Sequence, residues 1–246
     1  MPIGSARGPE LRPAKPCWVD VGTRLAFLCL VACATPARAQ VGLGLSVASD
    51  DVFRGESVSE GRPTASLDLS YDDLSGAYAG TSGTIVATRN SGLQLLRVVA
   101  YGGYVRRIGR GWSLDVGIIS RNYSRYYGTE YSRRQNEAYV GLVGRTISVR
   151  GFVSPDYDGR GHGSIYLDSS ALIVRIDGIS VDGHIGALFV PANRLPYGVS
   201  SVQADWRLGI SRSIDRARLS VNWSAMLSRS HKEDRQRLAL VASTAF

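Results

Sequence analysis

From Val41 onward the chain alternates apolar and polar residues with a period of two, with almost no helical repeat. Val41, Leu43, Leu45 and Val47 share one face, and Gly42, Gly44, Ser46 and Ala48 the other, in a strand predicted to run out towards Phe53. Ala65, Leu67, Leu69 and Tyr71 repeat the pattern, and 72–76 supplies carboxylates and glycine for a reversal. A weaker strand over 77–87 leads to Leu96, Val98, Ala100, Gly102 and Tyr104, expected on one face opposite Arg97, Val99 and Tyr101. Strands follow at 112–118, 138–142, 147–153, 164–176, 181–189, 202–210, 219–227 and 236–246. In 164–176 the two faces separate poorly, which predicts a bulge. The total is twelve strands.

The connections narrow the fold. They run roughly ten, five, five, four, twelve, two, ten, three, nine, six and seven residues. From the fifth strand on, long loops alternate with short turns, the signature of an antiparallel up-and-down transmembrane β-barrel. A soluble sandwich has no reason for that alternation. Mid-strand charges agree: Asp115, Asp182, Asp205 and Arg207 stand opposite apolar residues, where a wet lumen suits them and a dry core would not. With Arg97 and Arg237 they form the predicted set of lumen charges. The last strand puts Leu238, Leu240, Ala242, Thr244 and Phe246 on one face, ending on an aromatic at a membrane interface. Tyr71, Tyr104 and Trp112 are expected in a girdle at that same side, and Phe53, Tyr123 and Phe189 in one at the other. Trp206 and Trp223 fall mid-strand, outside it.

Composition adds an address. Arg24 precedes an apolar run over 25–34, and Ala37-Arg38-Ala39 has the small-x-small form of a cleavage site, so residues 1–39 read as a secretory signal peptide and 40–246 as the barrel domain. In a competing reading Leu30-Val31-Ala32-Cys33 resembles a lipoprotein signal, which would leave a lipidated Cys33 as the first residue. All three cysteines lie before residue 40, leaving the mature chain without disulfide or thiolate chemistry. The whole chain carries +8; residues 1–39 hold five basic and two acidic groups, so 24 and 19 would remain, or +5. The arginines are scattered rather than clustered, which argues against nucleic acid as a partner. No spacing of His, Asp and Glu suggests a metal site, no glycine loop cradles phosphate, and no cofactor is expected.

The loop after the first strand reads Ser49-Asp50-Asp51-Val52-Phe53-Arg54-Gly55-Glu56-Ser57-Val58-Ser59-Glu60-Gly61-Arg62-Pro63, followed by Gly76-Ala77-Tyr78-Ala79-Gly80. This resembles the signature of TorF-type porins, a bacterial family of exported proteins, with Asp51 where that family has an aromatic residue. Phe53, Arg54, Gly55, Ser57, Ser59, Gly61 and Pro63 carry the resemblance. It implies a barrel in the outer membrane of a Gram-negative bacterium, among lipid and lipopolysaccharide. Phe246 resembles the terminal aromatic read by barrel-assembly machinery, so it is the expected assembly signal. The expected function is passive passage of small hydrophilic solutes, with weak anion selectivity from the net positive charge. The alternatives are a non-conducting structural or adhesive barrel and a lipid-modifying barrel enzyme. The last rests on His162 and Ser164, which are similar to the His-x-Ser pair of outer-membrane phospholipases but lack the Asn-Gly that follows there; no catalytic residue is assigned. Arg54, Glu56, Glu60 and Arg62 are expected to hold the first loop to the barrel rim as a charge network.

Overall fold

The computed structural model describes residues 40–124, 134–157, 163–190, 201–228 and 236–246. Twelve antiparallel strands close into one barrel, each paired with its sequence neighbour. They are β1 (Gln40–Ala48), β4 (Thr64–Asp72), β5 (Ala77–Thr88), β6 (Gly92–Gly109), β7 (Trp112–Tyr123), β8 (Arg134–Val143), β9 (Ile147–Ser154), β10 (Ser164–Ile176), β11 (Ile179–Phe189), β12 (Val202–Ile214), β13 (Ala217–Ser228) and β14 (Gln236–Ala245). The first strand stops at Ala48, short of Phe53, and the loop after it contains a separate hairpin, β2 (Val52–Phe53) and β3 (Glu56–Ser57). One barrel end carries the short turns 73–76, 110–111, 144–146, 177–178 and 215–216. The expected six-residue connection between β12 and β13 is therefore two residues, with Asp215 at φ 50°. The other end carries the long connections, apart from the short 89–91.

The outward face is apolar all round: Leu43, Leu45, Leu67, Leu69, Ile118, Val140, Ile185, Leu238 and Leu240 are exposed. With the backbone paired around the ring, this is the arrangement a β-structure needs in lipid. Tyr71, Trp112, Phe189 and Phe246 are exposed near strand ends, and Tyr104 is exposed five residues inside the end of β6. Trp206 and Trp223 make an edge-to-face pair, centroids 4.9 Å apart, beside the buried Ala225. The seam joins β1 to β14 from Gly44↔Ala245 to Ala48↔Val241, and Phe246 exchanges two backbone hydrogen bonds with Leu43 (2.9 and 3.3 Å).

Of three register shifts among the described residues, one (Arg107/Gly109) lies beside the 110–111 turn and two shape the interior. The register of β10 shifts between Leu172 and Val174, the bulge that its mixed faces predicted. A second shift, unforeseen, lies between β5 and β6: Thr84 faces Arg97, but Ile85 faces Leu95, so Leu96 has no opposite residue. Leu93 and Leu95 then point outward while Leu96 is fully buried. Leu96 therefore lies inside with Arg97, rather than on the outer face with Val98, since a bulge turns two successive side chains to one side. Leu96, Val86, Val58 and Tyr123 form a small core within the barrel, with Phe53 packed on it. Tyr123 and Phe53 thus belong to the interior and not to an aromatic girdle. No helix among the described residues is long and apolar enough to cross a membrane.

Candidate functional site

The first loop is organised by one carboxylate. Asp50 is buried, and its Oδ1 accepts from Ser57 Oγ (2.6 Å), Ser59 Oγ (2.8 Å) and the Gly61 amide (3.2 Å). Ser59 Oγ in turn accepts from the Asp51 amide (3.0 Å), and the Gly61 amide also reaches Ser57 Oγ (2.9 Å). The serines and glycine of the motif are thus the donors that a buried carboxylate requires. Between them, Arg54 (φ 51°) and Gly55 (φ 77°) make the two-residue turn of the hairpin, both left-handed as a tight hairpin turn demands. A Cβ on Gly55 would stand 2.7 Å from the backbone of Ala225 and Met226 in β13. The tip therefore abuts the barrel wall.

That contact places the hairpin across the lumen. Asp51 pairs with Arg97 of β6 (2.9 Å), and Arg54 with Glu137 of β8 (2.7 Å), whose other oxygen takes Arg121 of β7 (2.5 Å). The Glu137 side chain is 1% exposed, so the two guanidiniums supply its compensation in place of water. The Arg54 guanidinium carbon lies 3.8 Å over the Tyr166 ring centroid, with Phe53, Tyr157 and Phe152 at 4.9, 5.6 and 5.8 Å. The Phe53 ring lies between Arg54 and Arg121, 4.7 Å from the latter. Burial opposes the charge of Arg54, but Glu137 and then Tyr157 outweigh it, so its pKa is raised and the cation is secure. Burial raises the pKa of Asp51, with Arg97 pulling the other way. Of the rim network expected of Arg54, Glu56, Glu60 and Arg62, Arg54 turns inward to Glu137 instead, while Glu60 and Arg62 pair as foreseen, at 3.4 Å and well exposed.

Deeper in, the predicted lumen charges all face inward, but only Asp182 and Arg207 meet each other, at 2.8 Å. Asp115 accepts from Tyr78 (2.5 Å) and pairs with Arg150 (3.2 Å). Asp205 binds His184 Nε2 (3.0 Å) and the Tyr166 hydroxyl (3.0 Å). Arg237 stands opposite Ser224, on the inward face with the buried Ala239. Glu137, Arg121, Arg150, Asp168 and His184 were missed as lumen groups. The signal was present: Glu137 alternates with Ala138, Val140 and Leu142 just as Asp115 does with its neighbours. An aromatic row, Tyr139, Phe152 and Tyr166, runs along this wall at 5.3 and 6.0 Å, and Tyr78 touches Tyr139 through their hydroxyls. Glycines make room for it: Gly117 faces Tyr139 across β7 and β8, where a Cβ would lie 2.7 Å from the hydroxyl. The opposite wall is slim, with Gly42, Gly44 and Ser46 of β1 facing in beside Ser66, Asp68 and Ser70 of β4.

Two arrangements invite a catalytic reading. Ser170 Oγ lies 3.2 Å from His184 Nδ1, with Asp205 on the other ring nitrogen. Asp168 (3.7 Å) contends for the same Nδ1 and Tyr166 (3.1 Å) for Nε2, so the imidazole is fully engaged in a structural clasp. Ser164, at the head of β10, is buried on the inward face, away from any lipid substrate; His162 lies outside the described residues. Among the described residues no cluster of three or more His, Cys, Asp or Glu could hold a metal.

A family model described as "Bacterial protein of unknown function (Gcw_chp)" matches residues 33–227. No curated protein matches the sequence. Among solved structures, the chain is similar to the KdgM porin (TM-score 0.52, 10% identity, 83% of this chain and 99% of that one). It is also similar to the NanC porin (TM-score 0.54, 9% identity, 84% and 99%). At such identities the likeness is one of fold: a closed twelve-strand barrel of the porin kind.

Proposed function

The chain belongs to the bacterial Gcw_chp family, and we propose that it is an outer-membrane channel for small hydrophilic solutes, narrowed by its own first loop. The observation that carries this reading is the division of the barrel wall. Apolar side chains face outward around the ring, and paired Arg, Asp, Glu and Tyr side chains face inward. Such an interior is polar enough to solvate a polar solute. The porin likeness of the fold and the likeness of the first-loop motif to TorF-type porins point the same way. In this reading residues 1–39 direct export, the short turns are periplasmic, and the hairpin enters the lumen from the outside. Lipid and lipopolysaccharide surround the barrel, and Phe246 presents the last strand to the assembly machinery. The inward placement of Ser164 counts against a lipid-modifying enzyme.

Planar-bilayer recording on refolded protein tests the proposal. Wild type should conduct in small steps, and a variant with 51–62 replaced by a short Gly-Ser linker should conduct in larger ones. Silence from both proteins refutes the channel and leaves the non-conducting barrel.

A further inference from the structure

The chamber around Arg54 has the chemistry of a ligand site. Its floor is the Tyr166 ring, its sides are Phe152 and Tyr157, and its anchor is the buried carboxylate of Glu137. Flat stacking plus a carboxylate is how a guanidinium is recognised; an ammonium would find the charge but lose the stacked plane. The group seated there belongs to the chain itself and is imperfectly held. Nη2 bonds Glu137 and Tyr157 helps to hold the cation, but Nε and Nη1, both buried, have no hydrogen bond of good geometry among the described residues. It is also carried on a non-glycine residue in the left-handed region. If Arg54 leaves, Glu137 keeps Arg121 at 2.5 Å, so the site stays compensated when empty.

We infer that the Glu137–Tyr166–Phe152–Tyr157 chamber is a binding site for guanidinium-bearing solutes, which Arg54 occupies as a tethered mimic until such a solute displaces it and releases the hairpin. A short flexible tether would present Arg54 at an effective concentration of about millimolar, and the ordered hairpin presents it at a higher one, so free ligand competes only when plentiful. Displacement then couples solute arrival to opening of the lumen. The coupling to opening rests on the channel reading; the binding does not.

The test titrates methylguanidinium, with methylammonium as the charge-matched control, into the detergent-solubilised full-length barrel by calorimetry. Arg54→Ala removes the tethered competitor, so its Kd for methylguanidinium should be at least ~10-fold lower than wild type's. Methylammonium should bind that variant at least ~10-fold more weakly. Adding Glu137→Gln to Arg54→Ala should abolish binding. In wild type, saturating methylguanidinium should speed hydrogen exchange at the Val58 amide, which bonds Asp51 O (2.8 Å) within the hairpin. Should Arg54→Ala fail to fold, Arg54→Lys keeps the charge without the flat fork and should also bind methylguanidinium more tightly than wild type. Equal affinity for both probes, no gain over wild type, or binding that survives Glu137→Gln overturns the inference. A barrel that binds as expected but passes no current refutes the channel reading and leaves this inference standing.

Discussion

Asp50 offers a test of how the first loop is held. Three donors converge on its Oδ1: Ser57 Oγ at 2.6 Å, Ser59 Oγ at 2.8 Å, whose one proton is shared with Arg62 O (2.8 Å), and the Gly61 amide at 3.2 Å. A hydrogen bond to a charged group contributes about 1.5–3 kcal/mol, but three sharing one oxygen compete, so about 3 kcal/mol in total is the reasonable figure. Asp50→Ala should therefore shift opening of the hairpin by roughly 100-fold at 1.36 kcal/mol per decade. Asp50→Asn separates geometry from charge. Its single carbonyl oxygen can take the place of Oδ1 and keep all three donors, so about half the loss, roughly tenfold, is expected. Hydrogen exchange at Val58 reads the opening directly. The barrel's melting temperature should barely move in either variant, because no ladder bond between barrel strands is touched. Val58 exchange in Asp50→Ala within about twofold of wild type, or equal effects of the two substitutions, would refute the argument.

Gly55→Ala combines a backbone penalty of about 1–2 kcal/mol with a Cβ 2.7 Å from β13, so hairpin exchange should speed up at least ~10-fold; Gly61→Ala (φ 70°), with nothing within 4 Å, should show the backbone penalty alone. Deleting Phe246 removes its two backbone bonds to Leu43 at the closing seam and should lower the yield of folded barrel, read by heat-modifiable gel mobility, far more than Phe152→Ala does. Burial raises the pKa of Asp51 in the docked hairpin, so the docked state binds the proton more readily than the released one. Docking should therefore strengthen as pH falls through the raised pKa and weaken again as pH rises, a dependence that Asp51→Asn should flatten in exchange measurements. Arg207→Glu replaces the partner of Asp182 with a second acid and should move the reversal potential under a KCl gradient towards cations, less so at 1 M salt, where the Debye length is ~3 Å. An unchanged potential would remove Arg207 from the solute path.

Period-two alternation is local, and what depends on it was legible in the sequence. Twelve strands, the inward turn of Asp115, Asp182, Asp205 and Arg207, the bulge in β10 and the exposed terminal face of Leu238 and Leu240 all follow from residues within one strand. The alternation of long and short connections then separated a barrel from a sandwich. Tertiary structure alone decided where the first loop goes. Its motif reads as a run of turn residues, yet Arg54 finds Glu137 on β8, 83 residues away, while Gly55 meets β13. Pairing at that distance leaves no periodic trace, because it depends on which walls closure of the ring brings face to face. The same holds at Leu96: one unpaired residue in β6 inverts the face, and only the register against β5 reveals it. Phe53 and Tyr123 look like interface aromatics along the chain and become interior packing once the hairpin folds in, since an aromatic ring suits a lipid interface or a small dry core equally well.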